Sequence, residues 1–204
     1  MSYHNPVLLQ ETVNGLNIKP EGVYVDVTFG GGGHSKEILS KLGDKGKLYA
    51  FDQDPDALAN KIDDSRFVLI HENFRYIKRF LRFYGVKKVD GILGDFGVSS
   101  HQFDVAERGF STRFEADLDM RMNQSNQLSA YHVVNEYSQE DLRDVLLQYG
   151  ELRAAPAMAR VIVETRMNGE IKTSEQLKFA LKKFLSPKHE NKILAQIYQA
   201  IRIE

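Results

Sequence analysis

The stretch that decides the fold is VDVTFGGGGHS, residues 25–35, in which four consecutive glycines separate an apolar run from a histidine. The apolar, β-branched run predicts a buried strand. A glycine-rich turn after a strand lets a ligand approach the backbone closely. Four adjacent glycines are costly in chain entropy, so a turn without a ligand is the weaker interpretation. Such turns serve phosphates, dinucleotides and sulfonium cofactors alike, so other residues must distinguish among these ligands.

Strand-like and helix-like segments alternate through the first half of the chain. Apolar runs predict four strands, at residues 22–29, 46–52, 66–72 and 88–95. Helical patterns separate them: one is capped by Ser35, one has Asp54 as its N-cap, and one covers residues 73–85. This alternation predicts an α/β fold with a parallel, doubly wound sheet.

The pattern changes after the fourth predicted strand. Residues 96–124 lack a stable hydrophobic period and predict a long loop, of a length that usually serves a function. Helix signals then resume, with Ser138 as an N-cap and with Thr173 and Gln176 as a capping box. Because four parallel strands leave an unpaired edge and half-covered faces, we expect the sheet to be incomplete and the chain to be a fragment.

Composition excludes several classes of protein. The chain has 204 residues, 42% apolar and 27% charged, as in ordinary globular proteins. No apolar run approaches the roughly 18 residues of a membrane span, and the N-terminus lacks a signal-peptide pattern, so we expect a cytoplasmic protein. The absence of cysteine excludes disulfides, thiolate metal sites and cysteine nucleophiles, and the histidines lack metal-ligand spacing. The formal net charge of −1 argues against nucleic-acid binding through overall charge alone, whereas a local basic face would still bind.

Two phosphate-binding motifs fit the glycine loop poorly. A P-loop requires Gly-Lys followed by Ser or Thr, but Gly33 is followed by His34, so this motif is excluded. A dinucleotide fold requires G-x-G-x-x-G after the first strand, and counting from Gly30 and Gly32 places Ser35 at the third glycine position. The nicotinamide interpretation is therefore weakened but stays open.

An S-adenosylmethionine fold accounts for more of the acidic residues. Such folds commonly place a carboxylate in the first strand, where Asp26 stands, and a second-strand carboxylate on the ribose hydroxyls, where Asp52 stands. Open α/β sheets bind ligands at the carboxyl ends of their strands, which favours Asp52 over the helix-capping Asp54 as the ligand residue. Phe74, after the third strand, is either a ring that stacks on adenine or the first core residue of the next helix.

The segment after the fourth strand carries a further candidate. Asp95 ends that strand, where methyltransferases of this fold keep the groups that handle the nucleophile. Ser99 and Ser100 follow in a small-residue turn, for which turn and capping chemistry is a serious alternative.

A basic stripe lies on the third predicted helix. Its members recur three and four residues apart, at Arg75, Lys78, Arg79 and Arg82. A solvated surface is the favoured interpretation, with contact to an RNA backbone as the second.

Five longer blocks carry a family resemblance. They are PVLLQETVNGLNIKPEGVYVDVTFGGGGHS, FDQDPDA, DFGVSSHQFDVAERGFS, LDMRM and QAIRI. In this order, over essentially the whole chain, they resemble the bacterial methyltransferases that modify N4 of a cytosine in 16S ribosomal RNA. The resemblance implies S-adenosylmethionine as cofactor and 16S rRNA of the small ribosomal subunit as partner. It also implies a Rossmann-like methyltransferase core in residues 1–105 and a substrate loop with a helical insert in residues 106–204, with the core resuming beyond this chain.

Position by position, the resemblance implies a set of cofactor contacts. These are Gly32, Gly33, His34, Asp52, Phe74, Asp95 and Gln102. The chain departs from the family pattern at His101, where proline is usual, and at Gly94, where a bulky apolar residue is usual. Leu152 replaces a second glutamate, and KILAQI replaces a block that usually carries proline and arginine. The first departure bears on the position of Gln102, and the last bears on the RNA contacts of the insert.

The chemistry of a cytosine amine sets what the site has to provide. The amine is a poor nucleophile because its lone pair is delocalised into the ring. A site must accept hydrogen bonds from it and hold it in line with the sulfonium methyl group. Asp95, a backbone carbonyl of the following turn or Ser99 would serve, and the choice among them stays open. Methylation at carbon 5 would instead need a cysteine. A nicotinamide-dependent oxidoreductase and a non-catalytic cofactor- or RNA-binding module remain as alternatives.

Overall fold

The computed structural model describes residues 6–204. The chain divides into two compact units, of which the first ends at Gly97 and the second comprises Val98–Glu204. The first unit contains a β-sheet with helices, and the regular elements of the second are all helices.

The first unit is built on a parallel four-stranded sheet. Its strands are β1 (Val23–Asp26), β2 (Lys47–Asp52), β3 (Phe67–His71) and β4 (Gly91–Leu93), in the order β3-β2-β1-β4. The register pairs Val25 with Tyr49 on one side and with Ile92 on the other. The predicted parallel α/β sheet is therefore confirmed, although each strand is shorter than its apolar run.

Helices cover both faces of this sheet. They are α1 (Leu9–Gly15), α2 (Gly33–Lys41) and α3 (Ile77–Phe83), with 3-10 segments at Pro55–Asn60 and Phe74–Tyr76. On one face, buried side chains of β1 and β2 pack with Ile38 and Leu39 of α2. On the other face, Val25, Tyr49 and Phe51 pack with α3. Since adjacent strand residues point to opposite faces, this alternation gives the sheet two buried sides.

Of the two N-caps predicted for the first unit, Asp54 is confirmed and Ser35 is not. Asp54 does cap the segment after β2, because its side chain accepts a hydrogen bond from the Asp56 amide, but that segment is a 3-10 helix. Ser35 is not a cap, and this prediction was wrong. The N-cap of helix α2 is Gly32, three residues before Ser35, and the Ser35 hydroxyl donates to Asp26 at 2.7 Å instead.

The second unit is a bundle of helices around its own core. The helices are α4 (Ser100–Asp104), α5 (Ala130–Glu136), α6 (Gln139–Gln148), α7 (Ala155–Arg166), α8 (Ser174–Ala180) and α9 (Glu190–Ile203), with 3-10 segments at Ala106–Arg108 and Lys182–Phe184. Leu142, Met158, Ile162 and Leu177 are among its fully buried side chains.

The structure tests three expectations about this second unit. The caps of α6 by Ser138 and of α8 by Thr173 with Gln176 are confirmed. The prediction of a long loop over residues 96–124 was wrong in part, since α4 and a 3-10 turn lie within it. Within residues 6–204, no helix has the length and apolar character needed to cross a membrane.

Candidate functional site

The glycine turn between β1 and α2 depends on the absence of side chains. Gly30 and Gly32 have φ of +49° and +75°, in the left-handed region that favours glycine. A Cβ on Gly32 would lie 2.9 Å from the Phe29 ring, and one on Gly33 would overlap the Pro6 ring. Among the described residues other than Gly30 and its two chain neighbours, no atom lies within 4 Å of a Cβ built on Gly30. The turn is thus tightly packed behind Gly32 and Gly33 and open at Gly30.

Asp52 joins the end of β2 to this turn. One carboxylate oxygen accepts the Gly30 amide at 2.7 Å, and the other accepts the Asp54 amide at 2.9 Å. Burial raises the pKa of the Asp52 carboxyl, against the lowering effect of these two hydrogen bonds. Each oxygen keeps a further lone pair for a hydroxyl donor, so the carboxylate can brace the turn and still bind a ligand.

A second carboxylate, that of Asp26 in β1, holds the two ends of the turn together. Asp26 is completely buried, and its oxygens accept the Ser35 hydroxyl at 2.7 Å and the Thr28 amide at 3.0 Å. Burial raises the pKa of the Asp26 carboxyl, and the two hydrogen bonds lower it. The residue therefore acts inside the protein, holding the start of α2 against the end of β1.

His34 has a buried atom whose bonding is incomplete. The side chain is 6% exposed, and within residues 6–204 its Nε2 has no hydrogen-bond partner. A buried polar atom left unbonded costs about 1–3 kcal/mol, so a water or ligand atom that bonded to Nε2 would stabilise the protein. Together with the open side of Gly30, this atom is the local feature that fits a polar cofactor bound at the turn.

Two exposed aromatic rings lie beside the ends of β3 and β4. The Phe74 ring is 39% exposed, so Phe74 is not the core residue that one interpretation made it. Its centre lies 5.5 Å from that of Phe96, which is 71% exposed. A Cβ on Gly94 would come within 2.7 Å of the Phe96 ring. Glycine at position 94 therefore gives this ring the space to lie where it does.

Asp95 is held at the same end of the sheet. Its backbone amide donates to the Thr28 hydroxyl at 2.7 Å, which ties the end of β4 to the segment after β1. Asp95 itself is exposed to solvent. The carboxylate is consequently available to a group outside the protein.

The structure brings six of the seven proposed contact residues into the first unit. Asp52 is the last residue of β2, and Gly32, Gly33, His34, Phe74 and Asp95 follow the carboxyl ends of strands, where open α/β sheets bind ligands. Gln102 lies on α4 of the second unit and is 7% exposed. It forms a capping box with Ser99, whose amide donates to Gln102 Oε1 at 3.0 Å, so the capping interpretation of Ser99 is confirmed.

Sequence reasoning missed two residues that shape the turn. Asn60 donates its side-chain amide to the Gly30 carbonyl at 3.1 Å, from a position 30 residues further on. Thr28 contacts both Asp26 and the Asp95 amide. Neither residue belongs to a motif with a fixed spacing, so nothing local in the sequence marked them.

Comparisons with known proteins identify the family. The model of the MraW methylase family matches residues 1–204. The chain is 70% identical to the ribosomal RNA small subunit methyltransferase H of Christiangramia forsetii, and 71% identical to the protein of that name from Flavobacterium johnsoniae. Both matches cover 100% of this chain and 68% of the relative. The protein of the same name from Cytophaga hutchinsonii is 53% identical over 204 residues. The chain belongs to the MraW methylase family.

Proposed function

We propose that the chain is an S-adenosylmethionine-dependent methyltransferase that transfers a methyl group to N4 of a cytidine in 16S rRNA of the small ribosomal subunit. The observation that carries the proposal is the match over the full chain to relatives named ribosomal RNA small subunit methyltransferase H. Membership of a methylase family also argues against the nicotinamide-dependent alternative. A ribosomal substrate supports a cytoplasmic location.

The proposed cofactor contacts are supported by the family resemblance and, for some of them, by the geometry of the site. They are Gly32, Gly33, His34, Asp52, Phe74, Asp95 and Gln102. The open face of Gly30 gives the amino-acid end of a cofactor access to the backbone. Asp52 has lone pairs left for two ribose hydroxyls, and the exposed Phe74 ring has a face available for adenine. For Gln102 the support is the family resemblance alone.

Asp95 is the residue that we propose to face the amine of the substrate. A bound S-adenosylmethionine would supply an electrophilic methyl group on sulfur. The exposed Asp95 carboxylate would accept hydrogen bonds from the cytosine amine and orient its lone pair towards that methyl group. A carboxylate so placed also receives the proton that the amine loses. The leaving group is a neutral thioether, which needs no metal to stabilise it.

We propose a division of labour along the chain. Residues 1–105 would form the methyltransferase core, and residues 106–204 would form the substrate loop and a helical insert. The parallel sheet before Gly97 and the helical content after residue 129 support a core followed by a helical part, but the second compact unit begins at Val98 and not at residue 106.

Analysis of methylated nucleosides tests the proposed function. The chain is incubated with small ribosomal subunits and methyl-labelled cofactor, and the RNA is digested and separated by chromatography. We expect label in N4-methylcytidine, and we expect Asp95→Ala to abolish or greatly reduce it. Label in 5-methylcytidine, in a purine or in protein would contradict the assignment. Cofactor binding without any label transfer would identify a non-catalytic module instead.

A further inference from the structure

Helix α3 and the turn before it have two sharply different faces. Ile77, Phe80 and Leu81 pack against the core on one face of the sheet. The basic face, defined as Arg75, Lys78, Arg79 and Arg82, lies on the opposite side and is exposed. Its members are three or four residues apart, which places them next to one another on a helix surface.

The charges of the basic face are not balanced by the protein. Residues 73–89 contain six lysines and arginines and no acidic residue, although the whole chain has a net charge of −1. Across residues 6–204, no carboxylate forms an ion pair with any member of the basic face. In the same unit Lys41 pairs with Glu37, Lys45 with Glu21, and Arg66 with Asp64.

Unpaired like charges at this spacing weaken a helix. A solvated helix face that served only to keep the protein in solution would be expected to carry both signs of charge. The concentration of one sign on one face is instead the usual electrostatic footprint of a protein that binds nucleic acid.

Aromatic rings accompany these cations. The Arg75 guanidinium lies 5.0 Å from the centre of the Tyr76 ring, and Phe83 is 80% exposed at the end of the helix. Aromatic and guanidinium planes beside a basic surface give unpaired bases a place to stack. The basic face starts directly after Phe74, at the carboxyl end of β3 where the proposed cofactor contacts lie. From Arg75 to Arg82 it extends about 10 Å at the rise of a helix.

We propose that the basic face of α3 binds the phosphodiester backbone of the substrate RNA and so presents the target nucleotide to the methyl-transfer site. The assignment rests on the proposed function for the identity of the RNA. An anionic membrane is a poorer occupant, because Ile77, Phe80 and Leu81 pack against the core, so α3 lacks the continuous exposed apolar face that an interfacial helix buries in lipid. The phosphates of an RNA strand form a row of negative charges that complements this row of cations, about 10 Å long.

The test compares two variants that lose the same charge. The first variant replaces Arg75, Lys78, Arg79 and Arg82 with glutamine. The control variant replaces Lys36, Lys41, Lys45 and Lys61 with glutamine; these exposed lysines lie in or near α2 and the Pro55–Asn60 segment. Binding of a 16S rRNA transcript is measured from about 50 to 200 mM salt, and circular dichroism checks that each variant is folded.

We expect the basic-face variant to bind the transcript at least about 10-fold more weakly than the unmodified chain. The slope of log K against log salt should become shallower by roughly 2 to 4, since each lost phosphate contact reduces its magnitude by about one. The control variant should keep most of the affinity and most of the salt slope of the unmodified chain. A third variant, with Arg75, Arg79 and Arg82 changed to lysine, keeps the charge and should retain the slope. Equal losses in the basic-face and control variants, or no salt dependence in the unmodified chain, would overturn the assignment.

Two further measurements separate this inference from neighbouring ones. The first measures binding of both proteins to vesicles of phosphatidylserine and phosphatidylcholine. If the unmodified chain binds the vesicles, and the basic-face variant loses this binding but still binds RNA, the face is assigned to a membrane and the proposal is overturned. In the nucleoside assay, we expect the variant to show a raised KM for RNA with kcat nearly unchanged. If the unmodified chain forms N4-methylcytidine and the variant does so with the same KM and salt slope, only the α3 assignment fails. If the unmodified chain forms none, the proposed function fails.

Discussion

The Asp52 carboxylate combines a structural and a proposed binding role, and its removal gives the first prediction. Asp52→Ala deletes the acceptor for the Gly30 amide and for the proposed ribose hydroxyls. Charge-assisted hydrogen bonds contribute about 1.5–3 kcal/mol, so we expect binding of S-adenosylmethionine to weaken roughly 10- to 100-fold by calorimetry. Asp64→Ala is the control, because that carboxylate pairs with Arg66 before β3. Unchanged affinity in a folded Asp52→Ala protein would remove Asp52 from the site.

Asp26 gives a prediction about pH. Burial raises the pKa of its carboxyl above the ordinary value of 3.8, so the folded state binds this proton more tightly than the unfolded state. The contribution of Asp26 to stability is therefore largest below pH 3.8 and is lost as pH rises through the folded pKa. Asp26→Asn removes this titration and keeps an acceptor for the Thr28 amide. Its free energy of unfolding relative to the unmodified chain should increase with pH.

Urea titrations of both proteins between about pH 4 and pH 8 measure that difference. The neighbouring titratable groups, His34 and Asp52, are present in both proteins, so most of their contribution cancels in the comparison. A difference that stays constant across this range would show that the Asp26 carboxyl has an ordinary pKa.

Among the helices, α8 offers a direct test of capping. The Thr173 hydroxyl accepts the Gln176 amide at 3.3 Å, and Gln176 Oε1 accepts the Lys172 amide at 2.6 Å. Thr173→Ala should destabilise the second unit by about 1 kcal/mol, because the amide of Gln176 loses its partner. Thr173→Ser keeps a hydroxyl and should remain close to the unmodified chain. Urea denaturation measures both, and equal stability of the alanine and serine variants would contradict a role for this cap.

Local physics explains why several elements were predictable from the sequence. A cap such as Ser138 or Asp54 bonds to an amide two or three residues away, so residue type and spacing are enough to identify it. The parallel sheet was predictable because its central strands β1 and β2 are buried on both faces and appear as continuous apolar runs. Asp52 and Asp95 were identifiable because the ends of such strands are where these sheets bind ligands.

The elements that were missed depend on distant contacts. Helix α5 has only seven residues, too few for a clear period, and is fixed by burial of Val133 and Val134 in the second core. Ser35 was misjudged because its hydroxyl bonds to Asp26 on a neighbouring strand rather than to its own helix. The contact of Asn60 with Gly30 likewise spans 30 residues. Such tertiary bonds override local propensity and leave no pattern along the chain.

Across the whole chain, positive and negative charges nearly cancel, but the positive charges are concentrated in particular segments. The net charge is −1, so long-range attraction to RNA is weak, whereas six cations lie within residues 73–89. Exposed charges act over only about 8 Å at physiological ionic strength. This segment therefore attracts an RNA backbone only where the path of the RNA brings phosphates close to it. This arrangement favours an RNA of fixed shape over a flexible strand.

The last prediction follows from that preference for shape. We expect the chain to methylate an assembled small ribosomal subunit at least about 10-fold faster than overlapping oligonucleotides that together cover the 16S sequence, at equal nucleotide concentration. The target base has to leave its stack, which costs a few kcal/mol unless the RNA already displays it in a loop or unpaired position. Protein-free 16S RNA of full length is the third substrate, and it separates the effect of RNA folding from that of ribosomal proteins. Equal initial rates of label incorporation on all three substrates would show that sequence alone, without a shaped target, is sufficient.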